Sequence, residues 1–327
     1  MSYTFSTEPP VVRRYLFQAL IAIADFVEDI FWPTARTPRP EVPPHECLDW
    51  TDSELGERQS KAVQLAASTT SVASRIWMLD SRTVLKPKAV ESSFPGAERE
   101  LLAWRYVWKH TSIPTPRYFC ARDWGIGMTY LIMEYVEGET LEVAWPKLSY
   151  WTRLRVVWTV HSYVRQLRRA PVPPNAFPGP LGPRPRPCAG GLPDLLKDWP
   201  NDAYTCGPFT SAQEFHDNAK HYADMRAAQH PDHPHGPYPG MDKPMPLVFT
   251  HNDLSMGNIL LGKDGLVYII DWDYSGFYPV YAEYFGIEYD AFMHWQSKTP
   301  WQDWGWWAQF VAGPYFNYYR WIFGRAP

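Results

Sequence analysis

The sequence predicts an α+β fold, and three observations carry that prediction. Residues 76–138 hold short β-branched and aromatic runs separated by turns, with one helical segment inserted among them. Two further apolar runs, 247–250 and 267–270, bracket a dense polar segment. Most of the remaining chain after residue 140 has apolar residues at helical spacing. The 33 prolines favour long loops and argue against an all-helical bundle.

At 327 residues the chain suits one large domain or two lobes, and 45% hydrophobic with 16% aromatic residues can build a substantial core. The formal charge of -4 and the absence of a basic run give no electrostatic case for nucleic-acid binding. Cys47, Cys120, Cys188 and Cys206 are widely spaced and form no C-x-x-C pair, which excludes zinc and redox motifs. In a chain this large, reduced thiols are expected, and with no targeting signal the expected location is cytoplasmic.

The elements follow in order. Residues 15–32, YLFQALIAIADFVEDIFW, are apolar and follow Arg13 and Arg14, but Asp25, Glu28 and Asp29 interrupt them. The uninterrupted part is too short to span a bilayer. Leu16, Leu20, Ile23, Val27 and Ile30 share one helical face, which predicts a helix packed on the protein's own body. Membrane-surface or partner contact through that helix is the less favoured alternative. A Pro-rich link at 33–44 ends it. A helical stretch at 48–67 follows, then two strands around a turn at Asp80–Ser81, then a helix over 97–110 closed by SIPTP. A buried strand at 129–138 ends at Glu137–Gly138. Helices are expected over 148–169 and 210–229, the latter capped by Thr210 or Ser211 with Glu214 in its first turn. Residues 281–327 read as helical and rich in Trp and Tyr, and no internal repeat is present. Three segments result: 1–45, an N-terminal amphipathic helix and Pro-rich link; 46–139; and 140–327.

The polar segment is FTHNDLSMGNILL, 249–261, followed by YIIDWDYSG, 268–276. A carboxylate and an amide five residues apart, Asp253 and Asn258, can line one loop. A second carboxylate, Asp271, arrives from the next hairpin. Such oxygen donors suit Mg²⁺, which takes few protein ligands and leaves positions for phosphates. A carboxylate left off the metal can accept a proton from a hydroxyl, and these are the parts that phosphoryl transfer requires. A base Asp, then an Asn, then a metal-binding Asp after a strand is also the order found in kinases.

H-x-D-x-x-x-x-N at His251, Asp253 and Asn258, with I-D-W-D at 270–273, resembles the aminoglycoside phosphotransferase and choline kinase family, small-molecule kinases of protein-kinase-like fold. HNDLSMGNIL is similar to the choline kinase loop, whereas TSIPTPR, IMEYVEGETL and GPFTSAQEF are similar to a large fungal group of phosphotransferase-like proteins. The resemblance covers roughly 69–286. It implies a two-lobed protein-kinase-like fold, with a small β-rich nucleotide-binding lobe at 46–139 and a larger, mostly helical catalytic and substrate-binding lobe at 140–327. It implies ATP and Mg²⁺ as cofactors and a small-molecule hydroxyl as acceptor. Asp253 would orient or deprotonate that hydroxyl and His251 would brace the loop. Asn258 and Asp271 would hold the metal, and Asp273 would bind a second metal or cap the following turn. Lys86, with Lys88 second, would bind phosphate and pair with Glu100, with Glu98 second. Backbone groups near Glu134 and Val136 would hydrogen-bond the adenine.

The chain departs from the pattern in two places. No Gly-rich loop precedes Lys86, where TTSVASRIWML offers only Ser71, Ser74 and backbone amides, and Pro87 is unusual for a strand. These departures keep open a catalytically inactive kinase-like binding or scaffold protein, and the HND loop keeps open a choline/ethanolamine-type kinase. The histidines of HPDHPHGPYPG, 230–240, read as a solvated connector. The aromatics Trp301, Trp304, Trp306, Trp307, Tyr315, Tyr318 and Trp321 read as core, or else as a cage for a cation. Glu283 and Glu288 read as helix-surface charges, or else as carboxylates for a cationic substrate. No G-x-S-x-G elbow or H-E-x-x-H helix supports a hydrolase.

Overall fold

The computed structural model describes residues 11–31, 39, 42, 47, 49–65, 76–91, 94–123, 128–188, 206–229, 242–293 and 301–323. In chain order the elements are α1 (Val11–Phe31), α2 (Asp52–Lys61), β1 (Val63–Leu65), β2 (Ile76–Met78), β3 (Thr83–Glu91), β4 (Phe94–Pro95) and α3 (Gly96–His110). There follow β5 (Tyr118–Asp123), β6 (Met128–Glu134), β7 (Gly138–Thr140), α4 (Leu141–Ala144), α5 (Tyr150–Arg169), β8 (Gly179–Pro180) and α6 (Ala212–Gln229). The last part holds β9 (Leu247–Thr250), β10 (Ile259–Gly262), β11 (Val267–Ile269), β12 (Gly276–Pro279), α7 (Ala282–Met293), α8 (Trp301–Ala312) and α9 (Phe316–Phe323). They form two compact units. One, the sheet unit, comprises Thr37–Lys147 and Met256–Asp273. The other, the helical unit, comprises Met1–Arg36, Leu148–Ser255 and Tyr274–Pro327.

The sheet unit is built on an antiparallel sheet of order β1-β2-β3-β6-β5, with β4 paired to β3. The β2–β3 turn forms because the Asp80 carboxylate accepts the Arg82 N–H at 2.8 Å, and it sets Trp77 opposite Leu85. Period-2 alternation then divides β3. Leu85 points into an apolar cluster with Cys47, Trp50, Leu55, Cys120, Tyr130 and Ile132, while Lys86 and Lys88 share the other face. Pro87 does not break the strand: pairing with β6 runs through Pro87–Tyr130 to Ala89–Met128. The described β2 pairs reach no further along β3 than Leu85. A second sheet, β11-β10-β7, carries the hairpin after the polar segment. Its turn needs Gly265, at φ 83°, and Asp264 accepts the Leu266 N–H.

The expected helix over 48–67 is shorter. Thr51 starts α2 through a reciprocal capping box with Glu54, and the chain is already strand at Val63. Replacing Thr51 with alanine is expected to cost about 1 kcal/mol of stability, read as a lower denaturant midpoint at unchanged m-value.

In the helical unit, α5 starts at Ser149, whose hydroxyl accepts the Thr152 N–H, and buries Val156, Val160, Val164 and Leu167. The expected α1 packs on this body, but on a different face from the one expected. Phe17 and Ala24 are buried, with Phe17 edge-on to Trp306, whereas Leu16 and Ile23 are about half exposed. Asp25 and Asp29 select that face by pairing with Arg165 of α5, and Asp29 also pairs with Arg169. No helix among the described residues is long and apolar enough to cross a membrane. Ser211 and Glu214 cap α6 as expected, with the Thr210 N–H and hydroxyl donated back to Glu214 at 2.7 Å. A third sheet, β8-β12-β9, delivers the chain to His251.

Candidate active site

In the sheet unit six charged side chains meet. Lys86 and Lys88 come from the inward face of β3, Arg99 and Glu100 from the first turns of α3, and Asp271 and Asp273 from the segment after β11. Lys86 Nζ lies 3.0 and 3.1 Å from the two Glu100 carboxylate oxygens and 2.7 Å from Asp271 Oδ1. Lys88 Nζ lies 3.0 Å from Glu100 Oε2 and 3.0 Å from Asp273 Oδ2. Arg99 Nε donates to Asp273 Oδ1 at 2.8 Å, and the Tyr118 hydroxyl donates to Glu100. Glu98 is exposed and Glu100 is wholly buried, so α3 turns Glu100 toward the lysines.

Three cations offset three anions, as buried charges require. Burial opposes the Lys88 ammonium, but Asp271, Glu100 and Asp273 outweigh it and hold its pKa well above the ordinary lysine value. Burial likewise opposes the Asp273 carboxylate, and Lys88 with Arg99 outweighs it, lowering its pKa. Burial and the neighbouring Glu100 carboxylate push the Tyr118 phenol up, so it stays a donor.

These positions differ in what they can offer an incoming ligand. Both Asp273 oxygens face cations. Asp271 is about one quarter exposed at its side chain and sits at φ 61°, a left-handed conformation. Asn258 is half-buried at the end of a short 3-10 turn, and its carbonyl accepts the Ile270 N–H at 3.0 Å, which ties the start of β10 to the Asp271 segment. Among the described residues no group of three or more His, Cys, Asp or Glu side chains forms a metal cage. A carboxylate and an amide with few companions fit an ion that keeps most of its ligands as water and phosphate, the behaviour of Mg²⁺.

The connector after β6 is anchored on both sides of Val136. Glu134 pairs with Arg117 through its side chain and donates its N–H to the Arg117 carbonyl at 2.8 Å. Tyr135 donates to the Arg82 carbonyl at 2.7 Å, and the Glu137 carbonyl accepts the Lys263 N–H at 2.9 Å. Ser71 and Ser74 lie outside the described residues, as does the histidine-rich 230–240 connector.

In the helical unit the loop 251–255 is held by its backbone. The His251 and Asn252 N–H groups donate to the two oxygens of Glu283, at 2.8 and 3.1 Å. Ser275 Oγ donates to the His251 carbonyl and Trp304 Nε1 to the Leu254 carbonyl. His251 Nδ1 accepts the Asp253 N–H at 3.3 Å, and Asn252 takes the left-handed conformation at φ 65° that turns the chain toward Asp253. Asp253 itself is half-buried. Glu283 is neither of the two things expected of it. It is 2% exposed, so it is no helix-surface charge, and its oxygens are occupied by loop amides rather than open to a substrate. Burial raises its pKa from 4.5 to about 7. Its place in the first turn of α7 is the signal that it could serve as a cap.

Four of the C-terminal aromatics named above pack within this unit. Trp304 is wholly buried, Trp307 packs on Phe17 and Phe310, Tyr318 stacks on Tyr281, and Trp321 stacks on His216. Trp306 is the more exposed exception, and the Trp301 side chain lies outside what is described.

Residues 63–320 match the family model described as "APH: Phosphotransferase enzyme family". The chain belongs to that family. The match extends on both sides of the 69–286 over which the resemblance was legible. Phosphotransferase membership makes the chain an enzyme, a small-molecule kinase with an alcohol group as acceptor. The α+β, protein-kinase-like pattern stands, with a small antiparallel-sheet part and a larger, mainly helical part. No curated protein matches the chain in sequence. Several solved structures are similar. One is a thermostable mutant of aminoglycoside phosphotransferase APH(4)-Ia in ternary complex with ADP and hygromycin B, at 16% identity and a TM-score of 0.45, covering 84% of this chain and 96% of that one. APH(4)-Ia itself is similar at 15% identity and a TM-score of 0.43, over 84% and 95% of the two chains. The GDP and kanamycin complex of APH(2")-IIia follows at 13% identity and 0.45, over 80% of each.

Proposed function

We propose that this phosphotransferase moves the γ-phosphoryl group of ATP, bound with Mg²⁺, onto a hydroxyl of a small metabolite. The observation that carries the reading is the buried Lys86, held by Glu100 beside the partly exposed Asp271. Lys86 is thereby fixed as a point charge for phosphate oxygens, while Glu100 and Tyr118 keep it from swinging away. Asp271 and Asn258 would hold the metal, which when bound neutralises charge on the phosphates. Asp273 serves Lys88 and Arg99 rather than a second ion. The Val136 N–H and neighbouring connector backbone would grip the adenine.

In the helical unit, Asp253 would take the proton of the acceptor hydroxyl on a carboxylate oxygen as the hydroxyl oxygen attacks phosphorus. Its backbone is fixed through His251, so little reorganisation is needed at the moment of transfer. Catalysis on this reading is positioning plus charge stabilisation.

Calorimetric titration tests the proposal. ATP is expected to bind at least about tenfold more tightly with Mg²⁺ than without, a difference of roughly 1.4 kcal/mol. Asp271→Ala is expected to remove the Mg²⁺ enhancement. Absence of heat with ATP and Mg²⁺ together would overturn the proposal and favour a non-catalytic binding protein. With binding established, transfer of labelled phosphate to a panel of hydroxyl metabolites, choline and ethanolamine among them, identifies the acceptor class.

A further inference from the structure

Sequence reasoning leaves four reduced and unrelated thiols, but the fold sorts all four into two mutual contacts. In the sheet unit Cys47 Sγ and Cys120 Sγ are 2.9 Å apart, both buried, although 73 positions separate them in sequence. In the helical unit Cys188 and Cys206 exchange both backbone hydrogen bonds, at 2.8 and 3.0 Å, as an isolated antiparallel bridge. The Cys188 thiol donates to the Pro178 carbonyl at 3.5 Å. Mutually bonded residues of an antiparallel pair have Cα atoms about 5.5 Å apart, inside the range that a disulfide spans. Four cysteines scattered over the chain have no packing reason to find one another twice.

We propose that these cysteines are two cross-linking pairs, Cys47 with Cys120 and Cys188 with Cys206, which close to disulfides by exchange with a low-molecular-weight disulfide such as oxidised glutathione. The Cys120 thiolate attacks one sulfur of the oxidant, forming a mixed disulfide and releasing one thiolate. The Cys47 sulfur then displaces the second thiolate from Cys120. The two protein thiols are oxidised, the external disulfide is reduced to two thiols, and the two cysteine protons end on those thiols. The two thiols hydrogen-bond each other and Arg122 lies near both, which favours a thiolate within the pair, and Cys120, 7% exposed against 0% for Cys47, is the attacking member. Because both pairs are buried, exchange takes place during folding or local opening. The first link ties the segment ahead of α2 to β5, and the second joins the two ends of residues 189–205.

The test equilibrates the full chain with oxidised or with reduced glutathione, then unfolds it in guanidinium containing an alkylating reagent. After oxidation no cysteine is expected to be alkylated, the intact mass is expected to fall by about 4 Da, and peptide mapping is expected to show only the two named links. After reduction all four are alkylated. Alkylation of any cysteine in the oxidised sample, a glutathione adduct left in place, or a link crossing between the pairs would overturn the proposal. In Cys47→Ser the 188–206 link is expected to persist with Cys120 alkylated or glutathionylated, and a Cys120 link to either of the other two would overturn it equally. Both readouts are covalent and independent of ATP binding or transfer.

Discussion

Asp253→Asn is expected to slow phosphoryl transfer by about 10²–10⁴-fold, the range a positioned general base contributes. Asparagine keeps the shape and the backbone N–H that donates to His251 Nδ1, so the loop should hold and only the proton acceptor is lost. The groups proposed to hold ATP and Mg²⁺, Lys86 with its partner Glu100 and Asp271, belong to β3, α3 and the segment after β11, and none of them is altered. Single-turnover transfer from labelled ATP should therefore collapse while calorimetric affinity for ATP with Mg²⁺ stays within about twofold, a difference well under 1 kcal/mol. Wild-type turnover in the variant would remove Asp253 from the chemistry. An equal loss of ATP affinity would make it a binding residue instead.

Glu283→Ala should be among the most destabilising substitutions in the helical unit. It strips two buried backbone N–H groups, at His251 and Asn252, of their acceptor. At about 1–3 kcal/mol for each of the two orphaned donors, the expected loss is roughly 2–6 kcal/mol in chemical denaturation. The same carboxyl gives the fold a pH dependence. It ionises near 4.5 in the unfolded chain and near 7 in the folded one, because burial disfavours its charge. Between those values the unfolded chain releases a proton that the fold retains. Stability should therefore fall by about 3 kcal/mol as pH rises from roughly 4.5 to 7, and this contribution should be level on either side. Glu283→Gln should lose this part of the profile. A profile with the same slope in that variant would assign the titration elsewhere.

Legibility varied with how local the cause was. The β2–β3 turn, the extent of α3 and the cap of α6 could be read because Asp80, SIPTP and Ser211 act on backbone within a few residues. The pairing of Lys86 with Glu100 rather than Glu98 came from register within a family pattern, and the fold brings those two together. Lys88 and Arg99 escaped notice as the counter-charges of Asp273 because nothing in sequence links residues so far apart. Glu283 was misread since a carboxylate in a first helical turn looks the same whether it faces water or caps a distant loop. The buried face of α1 was misplaced because that helix is apolar on several sides, so periodicity alone does not choose among them. The choice is made by Asp25 and Asp29 meeting arginines of α5.

Asn252 and Asp271 are the two described residues other than glycine with left-handed backbone. Most side chains resist that handedness by about 1–2 kcal/mol, whereas Asn, Asp and Gly enter it readily. Each position thus answers to a steric demand of the main chain as well as to any demand for an oxygen donor, and few amino acids meet both. Anyone redirecting this protein toward a new acceptor should leave these two residues untouched and diversify around them, since bulky or β-branched replacements would bend the very supports on which a redesigned site has to rest.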